Sequence, residues 1–158
     1  MRTAIIYSSK YGTTEKVANM IAEKIRTNND VTLISLSSTS KPDLSSYEKV
    51  ILGTSIYAGR PGIKMWKFCQ KHRDILQSKT IGLFICGMQS AKKDAELRGA
   101  YPEYLHSIVK AEDFMGGELL FEKMSFFRHR IMKRMTKADT SVSKLDNTAI
   151  DAFSKIML

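Results

Sequence analysis

The sequence predicts a doubly wound α/β fold: a five-stranded parallel sheet with helices on both faces. Three observations carry that expectation. Short apolar runs alternate along the chain with stretches whose apolar residues recur at helical spacing. The runs Ala4-Ile5-Ile6-Tyr7, Val50-Ile51-Leu52 and Ile81-Gly82-Leu83-Phe84-Ile85-Cys86 are continuous rather than alternating, as strands buried on both faces require. Each is followed by a loop of small residues and then a helix, the pattern of crossovers between parallel strands.

In chain order, Ala4 to Tyr7 is the first strand, Ser8-Ser9-Lys10-Tyr11-Gly12-Thr13-Thr14 turns out of it, and Val17, Ile21 and Ile25 mark the buried stripe of the first helix. Val31 to Leu36 alternates apolar and hydroxyl residues and reads as a strand near a sheet edge. Ser37 to Pro42 is a polar loop, followed by a short helical turn over Leu44 to Tyr47. Val50 to Gly53 is a buried strand, and Thr54 to Gly62 leaves its carboxyl end. Pro61 suits the first turn of the next helix, which carries Met65, Trp66, Cys69 and Leu76. After the strand Ile81 to Cys86, Gly87 to Ser90 leads into a helix at Ala91 to Leu97, and Pro102 opens another that runs to Lys110. Phe114 to Leu120 is the expected last strand. From Asp146 a capped helix with Ile150, Phe153 and Met157 closes a single domain spanning 1–158.

Composition narrows the function. No apolar run is long enough to span a bilayer, and a strand begins where a signal peptide would stand, so a cytoplasmic location is expected. Cys69 and Cys86 fit neither a metal-ligand spacing nor a disulfide framework. The net charge of +9, from 25 Lys and Arg against 16 Asp and Glu, points to an anionic partner: an acidic membrane surface, nucleic acid or a carboxylate-bearing substrate. Nucleic acid is the weakest of these, because zinc spacing, an RNP-like aromatic motif and a helix-turn-helix pattern are all lacking.

Two loops carry the candidate chemistry. In the first, Ser9, Thr13 and Thr14 bring hydroxyls to a helix N-terminus, and Gly12 lets the backbone close around an anion. Simple helix capping explains the same residues about equally well. Neither G-x-G-x-x-G nor G-x-x-x-x-G-K-[ST] is present, which favours a monophosphate over a dinucleotide or a nucleoside triphosphate. In the second loop Tyr57, flanked by small residues and glycines, suits a flat ring stacked on one side; packing on the domain surface is the competing explanation. A phosphoreceiver site would need acidic residues where Ser8-Ser9 and Thr54-Ser55 stand, and a hydrolase would want G-x-S-x-G. His72, His106 and His129 fall on predicted helices away from the loops.

Ser9-Lys10-Tyr11-Gly12-Thr13-Thr14 resembles the [ST]-x-T-G-x-T loop of flavodoxins, which holds the phosphate of FMN, with Tyr11 in place of the usual threonine. The resemblance implies that Ser55-Ile56-Tyr57-Ala58-Gly59 flanks the isoalloxazine, with Tyr57 on its face and Ala58-Gly59 at N5. It also implies that Cys86-Gly87-Met88 starts the other flanking loop, without the tyrosine many flavodoxins carry there. Arg60, Lys92 and Lys93 beside these loops would favour the reduced flavin: a cation about 10 Å away, at an effective dielectric of about 20, contributes roughly 1 to 2 kcal/mol.

A finer resemblance rests on Ile56-Tyr57-Ala58-Gly59-Arg60, Gly116-Gly117-Glu118-Leu119, Ser125-Phe126-Phe127-Arg128 and Ile131-Met132-Lys133-Arg134-Met135-Thr136. These are similar to the menaquinone-dependent protoporphyrinogen oxidase branch of the family, although Thr136-Lys137-Ala138-Asp139 stands where that branch has Gly-Gly-Glu-Thr. It implies a place in porphyrin biosynthesis, with a reduced tetrapyrrole as donor, a quinone as acceptor and a peripheral seat on the inner membrane face. Segment 122–137 fits such a seat, with Met124, Phe127, Ile131 and Met135 along one helical stripe and Arg130, Lys133, Arg134 and Lys137 opposite; covering a sheet edge would use the same stripe. Three readings stay open: an FMN-dependent oxidoreductase, a soluble flavodoxin passing electrons to a redox partner, and a non-catalytic flavin-binding docking module.

Overall fold

The structure, a computed structural model, describes residues 1–39, 41–120 and 142–158 together with Arg130 and Arg134. β1 (Arg2–Ser8) and α1 (Thr13–Ile25) are followed by β2 (Asp30–Ser35) and the long β3 (Lys49–Tyr57), which folds back on the two-residue β4 (Arg60–Pro61). After α2 (Ile63–Lys71) and α3 (Arg73–Gln77) come β5 (Thr80–Cys86), α4 (Lys93–Ala100), the single-turn α5 (Glu103–His106) and β6 (Val109–Phe114). β7 (Gly116–Leu119), β8 (Val142–Leu145) and α6 (Asn147–Met157) complete the described elements.

The main sheet runs β2-β1-β3-β5-β6, all parallel, with β4 paired antiparallel to β3. This is the expected five-strand parallel sheet. Alternate residues of the central strands enter opposite cores, because successive side chains point to opposite faces. Ala4, Ile6, Val50, Leu52, Leu83 and Ile85 pack with Met65, Phe68, Cys69, Ala100 and Leu105. Ile5, Tyr7, Ile51 and Phe84 pack with Val17, Ile21, Ile25, Ile150, Phe153 and Met157 of α1 and α6. Burying each large side chain stabilises the fold by about 1.5–3 kcal/mol, so both faces hold the sheet between helices.

Several sequence expectations are corrected. Leu44 to Tyr47 is a turn closed by Tyr47 N–H donating to Leu44 O, not a helix. Pro61 stands in β4 rather than in the helix, since the chain first doubles back at Ala58-Gly59. The helix expected from Met65 to Leu76 is two helices, interrupted at His72, whose ring sits 4.4 Å from that of Phe68. The helix after Pro102 ends at His106, and the fifth strand is Val109–Phe114, earlier than expected. Lys110, expected at the end of the preceding helix, and Glu112 are exposed, which an edge strand with one wet side tolerates. Gly116 to Leu119 instead forms β7, which pairs antiparallel with β8 in a separate ribbon. The basic segment 122–137 lies outside the described residues apart from Arg130 and Arg134. Among the described residues no helix is long and apolar enough to cross a membrane.

Tyr101 fastens β3 to β5 just below the loops. Fully buried, its hydroxyl lies 2.6 Å from Phe84 O and 2.9 Å from Leu52 O, and burial holds its pKa well above the ordinary phenol value. Tyr101→Phe leaves these carbonyls without that donor and is expected to cost about 1–3 kcal/mol in urea unfolding; an unchanged midpoint would contradict this account.

Candidate functional site

Strand order reverses between β1 and β3, so the loops leaving their carboxyl ends diverge around a crevice. The register pairs Ser8 with Thr54 and Ser55 with Cys86, which brings the three loops after β1, β3 and β5 level with one another. They line one cavity of about 50 Å3, through Ser9, Lys10, Tyr11, Thr13, Thr14, Ser55, Ile56, Tyr57, Cys86, Gly87 and Met88. Of the sequence-predicted residues, Gly12, Ala58 and Gly59 do not line it.

Each of those three has a backbone role. Gly12 is the N-cap of α1 at φ 94°, a conformation glycine adopts without steric cost. Ala58 and Gly59, at φ 51° and 74°, are the two central residues of the β3–β4 hairpin, where both positions need positive φ to match the strand twist. Holding an alanine there costs on the order of 1 kcal/mol, so the turn beside Tyr57 is strained.

Polar groups at the cavity floor are arranged for an anion. α1 has no side-chain cap, which leaves its first N–H groups without that partner and its positive dipole end facing the cavity. Ser9 Oγ accepts from Gly12 N–H at 3.0 Å, leaving its own proton to donate. Thr14 Oγ1 is buried, faces the Cys86 thiol, and makes no hydrogen bond of ordinary geometry among the described residues. Hydroxyls and uncapped N–H groups are the donor set a phosphate takes.

The mouth is more crowded. Lys10 Nζ stands 3.9 Å from the centroid of Tyr57, and the Tyr11 ring lies 5.9 Å from that of Tyr57. A flat ring laid against Tyr57 requires the Lys10 and Tyr11 side chains to turn aside, a rotamer change of the kind binding commonly induces.

The fourth wall was not foreseen as part of the site. Gly117, Glu118 and Leu119 of β7 line the cavity, held there because Gly87 N–H donates to Gly116 O at 2.9 Å. A Cβ on Gly117 would stand 2.5 Å from Gly87 O, so only glycine permits this approach. Glu118, its side chain 8% exposed, takes a 3.3 Å ion pair from Lys16 of α1 and so keeps a carboxylate in the wall. Gly116-Gly117 followed by an acid was the available sequence signal; reading the stretch as a plain strand concealed it. Glu96 of α4 does not line the cavity but lies behind it. Its Oε2 is buried without a partner among the described residues, near Gly87, and burial raises its pKa. His72 and His106 line none of this; His106 instead pairs with Glu112 at 2.6 Å, and His129 lies outside the described residues.

A reversed strand order with a helix end that no side chain caps at the switch point defines a doubly wound α/β protein with a crevice at the carboxyl edge of its sheet. Residues 4–146 match the family described as Flavodoxin domain, and the chain belongs to that family. It is similar over 99% of its length to a flavodoxin of Streptococcus pneumoniae TIGR4, covering 94% of that chain at 15% identity and a TM-score of 0.63. Flavodoxin 2 of Bacillus cereus is covered over 97% by 99% of this chain, at 19% identity and a TM-score of 0.61. A flavodoxin from the domain Archaea is covered in full by the whole chain, at 19% identity and a TM-score of 0.58. At these identities the likeness establishes the fold. Comparison with curated proteins gives no match.

Cys86 lines the cavity, and its chemistry can be checked directly. Burial pushes its thiol up to about 12, with Glu118 adding to the rise and the Thr14 hydroxyl opposing it; burial alone does the same for Cys69. Both thiols stay protonated at neutral pH, and the thiolate is the reactive form. At pH 8 neither is expected to react with a maleimide in the folded protein, while both react in denaturant. Rapid labelling of Cys86 in the native state would refute its burial. Because the folded-state pKa lies above the ordinary value of 9, each thiol's contribution to stability is complete below pH 9 and is lost as pH rises toward about 12.

Proposed function

We propose that this protein binds FMN and moves electrons between a reduced donor and an acceptor. The observation that carries this reading is the buried Thr14 hydroxyl beside an α1 N-terminus without a side-chain cap, at the foot of a crevice that Tyr57 and Met88 line. When bound, FMN supplies one- and two-electron transfer, and the protein supplies position and electrostatics.

The chain's own residues divide that work. Ser9, Thr13, Thr14 and the first N–H groups of α1 hold the phosphate, and the Lys10 ammonium offsets its charge. Tyr57 covers one face of the ring, and Met88, in place of an aromatic, offers a polarizable contact from the other loop. Backbone groups of Ser55 to Gly59 and Cys86 to Met88 reach the ring edge. Residues 1–158 act as a single domain in this reading.

The finer reading is an oxidoreductase of the protoporphyrinogen oxidase type, taking hydrogen from a reduced tetrapyrrole, passing electrons to a quinone and seated on an anionic membrane through segment 122–137. Its support is the net charge of +9 and the exposed Arg60 and Lys64 beside Tyr57. A soluble electron carrier is favoured by one opposing observation, the acidic Glu118 in the cavity wall, which disfavours added negative charge on the flavin to the extent that its partner Lys16 leaves its charge uncompensated. Turnover with menadione, and its stimulation by anionic liposomes, separates the two, because a carrier needs no lipid.

The purified protein is expected to show flavin absorbance, alone or after addition of FMN. Thr14→Val should weaken FMN binding by about tenfold, roughly 1.4 kcal/mol, and leave riboflavin binding unchanged, because riboflavin lacks the phosphate. A protein that refuses FMN at micromolar excess overturns the reading.

A further inference from the structure

A second and larger hollow, about 720 Å3, adjoins the cavity and shares Ser9, Lys10, Ser55 and Tyr57 with it. Its other walls include Ser8, Arg60, Gly62, Ile63 and Lys64, and among the described residues no Asp or Glu lines it. Ile63 is 62% exposed and gives this basic rim an apolar wall.

α2 begins at the hollow and runs for nine residues. Its N-cap is Gly62, so no side chain caps it, and its first turn holds Lys64 and no acid. A helix start prefers negative charge and disfavours a cation by about 0.3–1 kcal/mol, so this sequence runs against the needs of its own helix. Just behind Gly62 lies Thr54 Oγ1, fully buried and without a hydrogen-bond partner among the described residues. It stands 3.1 Å from where a Cβ on Gly62 would be, with Ser8 Oγ 3.7 Å from the same point. The missing side chain at position 62 thus lets two hydroxyls come up close behind the backbone where α2 begins, with Arg60 and Lys64 at the rim of the hollow. One oxyanion would satisfy all of these groups together.

We propose that the N-terminus of α2, with Thr54, Ser8, Arg60 and Lys64, is an oxyanion site, and that the hollow takes a flat small-molecule redox partner bearing a carboxylate, sulfonate or phosphate. The inference rests on the flavin reading above, since sharing Tyr57 places such a molecule next to the flavin. The volume lies within the range of small-molecule sites, which favours a small anion over the surface of an acidic protein. Tyr57 and Ile63 provide apolar contact for the flat body, while the helix end and the cations select its charge.

The test uses the full chain loaded with FMN, titrated by calorimetry with anthraquinone disulfonate and with uncharged menadione. The disulfonate is expected to bind at least about tenfold tighter. Thr54→Val, which keeps the side-chain shape, and Arg60→Gln, at an exposed position, should each raise its Kd by about tenfold, with menadione affinity and bound-FMN absorbance unchanged. Lys79→Gln, just before β5 at the amino end of the sheet, should change nothing, which separates this site from the general basic charge. Equal affinity for the two quinones, or a disulfonate Kd that neither site variant moves, overturns the proposal and leaves the flavin reading intact. Failure of the wild-type chain to hold FMN overturns the flavin reading, while disulfonate binding and its loss in the variants can still be measured on the flavin-free chain.

Discussion

The pairing of Ser8 with Thr54 in the β1–β3 ladder is the constraint on which the rest depends. β1 is flanked by β2 on one side and β3 on the other, so the chain leaves its two central strands in opposite directions. A crevice opens where the loops part, and the ladder fixes how far each loop rises above the sheet. Slipping that register by one residue would turn Ile5 and Ile51 out of their core and carry Ser9 and Tyr57 away from each other. Burial of both sheet faces forbids the slip, so the packing of the two cores sets the site geometry.

The legible parts of the sequence were those whose signal is local. The continuous runs at Ala4 and Ile81 read as strands covered on both sides, and a hydroxyl-rich bend with Gly12 before a helical stripe marks the turn into a helix. What was missed depends on distant partners. β7 looks like a strand in the sequence, but its place in the cavity wall depends on Gly117 meeting Gly87 and on pairing with β8, more than twenty residues on. β6 was displaced because its charged residues suit an edge strand only when one side is wet, and nothing local says which strand is the edge. The hairpin at Ala58-Gly59 was hidden by an alanine standing where glycine or asparagine would have announced the turn.

The two ends of the sheet are finished differently. At the amino end Lys49, 1% exposed, donates to Leu158 O at 3.1 Å, to Asn29 Oδ1 at 3.3 Å and to Met157 O. Asn29 in turn donates to Ile25 O and accepts from the Thr3 hydroxyl. Burial lowers the Lys49 pKa, yet each of these acceptors offsets part of the cost of enclosing the ammonium. That end is a closed polar network tying α6 to the foot of β3.

At the carboxyl end the accounting does not close among the described residues. Thr14 and Thr54 are both fully buried, both lack hydrogen-bond partners among the described residues, and both sit beside helix starts that no side chain caps. A buried hydroxyl left this way costs about 1–3 kcal/mol, and a fold that satisfies a buried lysine at one end has no packing reason to leave two threonines unsatisfied at the other. Valine would fill either space at no polar cost. Threonine at these two positions places a donor hydroxyl beside each helix start, where an oxyanion would complete the hydrogen bonds. The two helix starts, one after β1 and one after the β3–β4 hairpin, favour negative charge in such a partner.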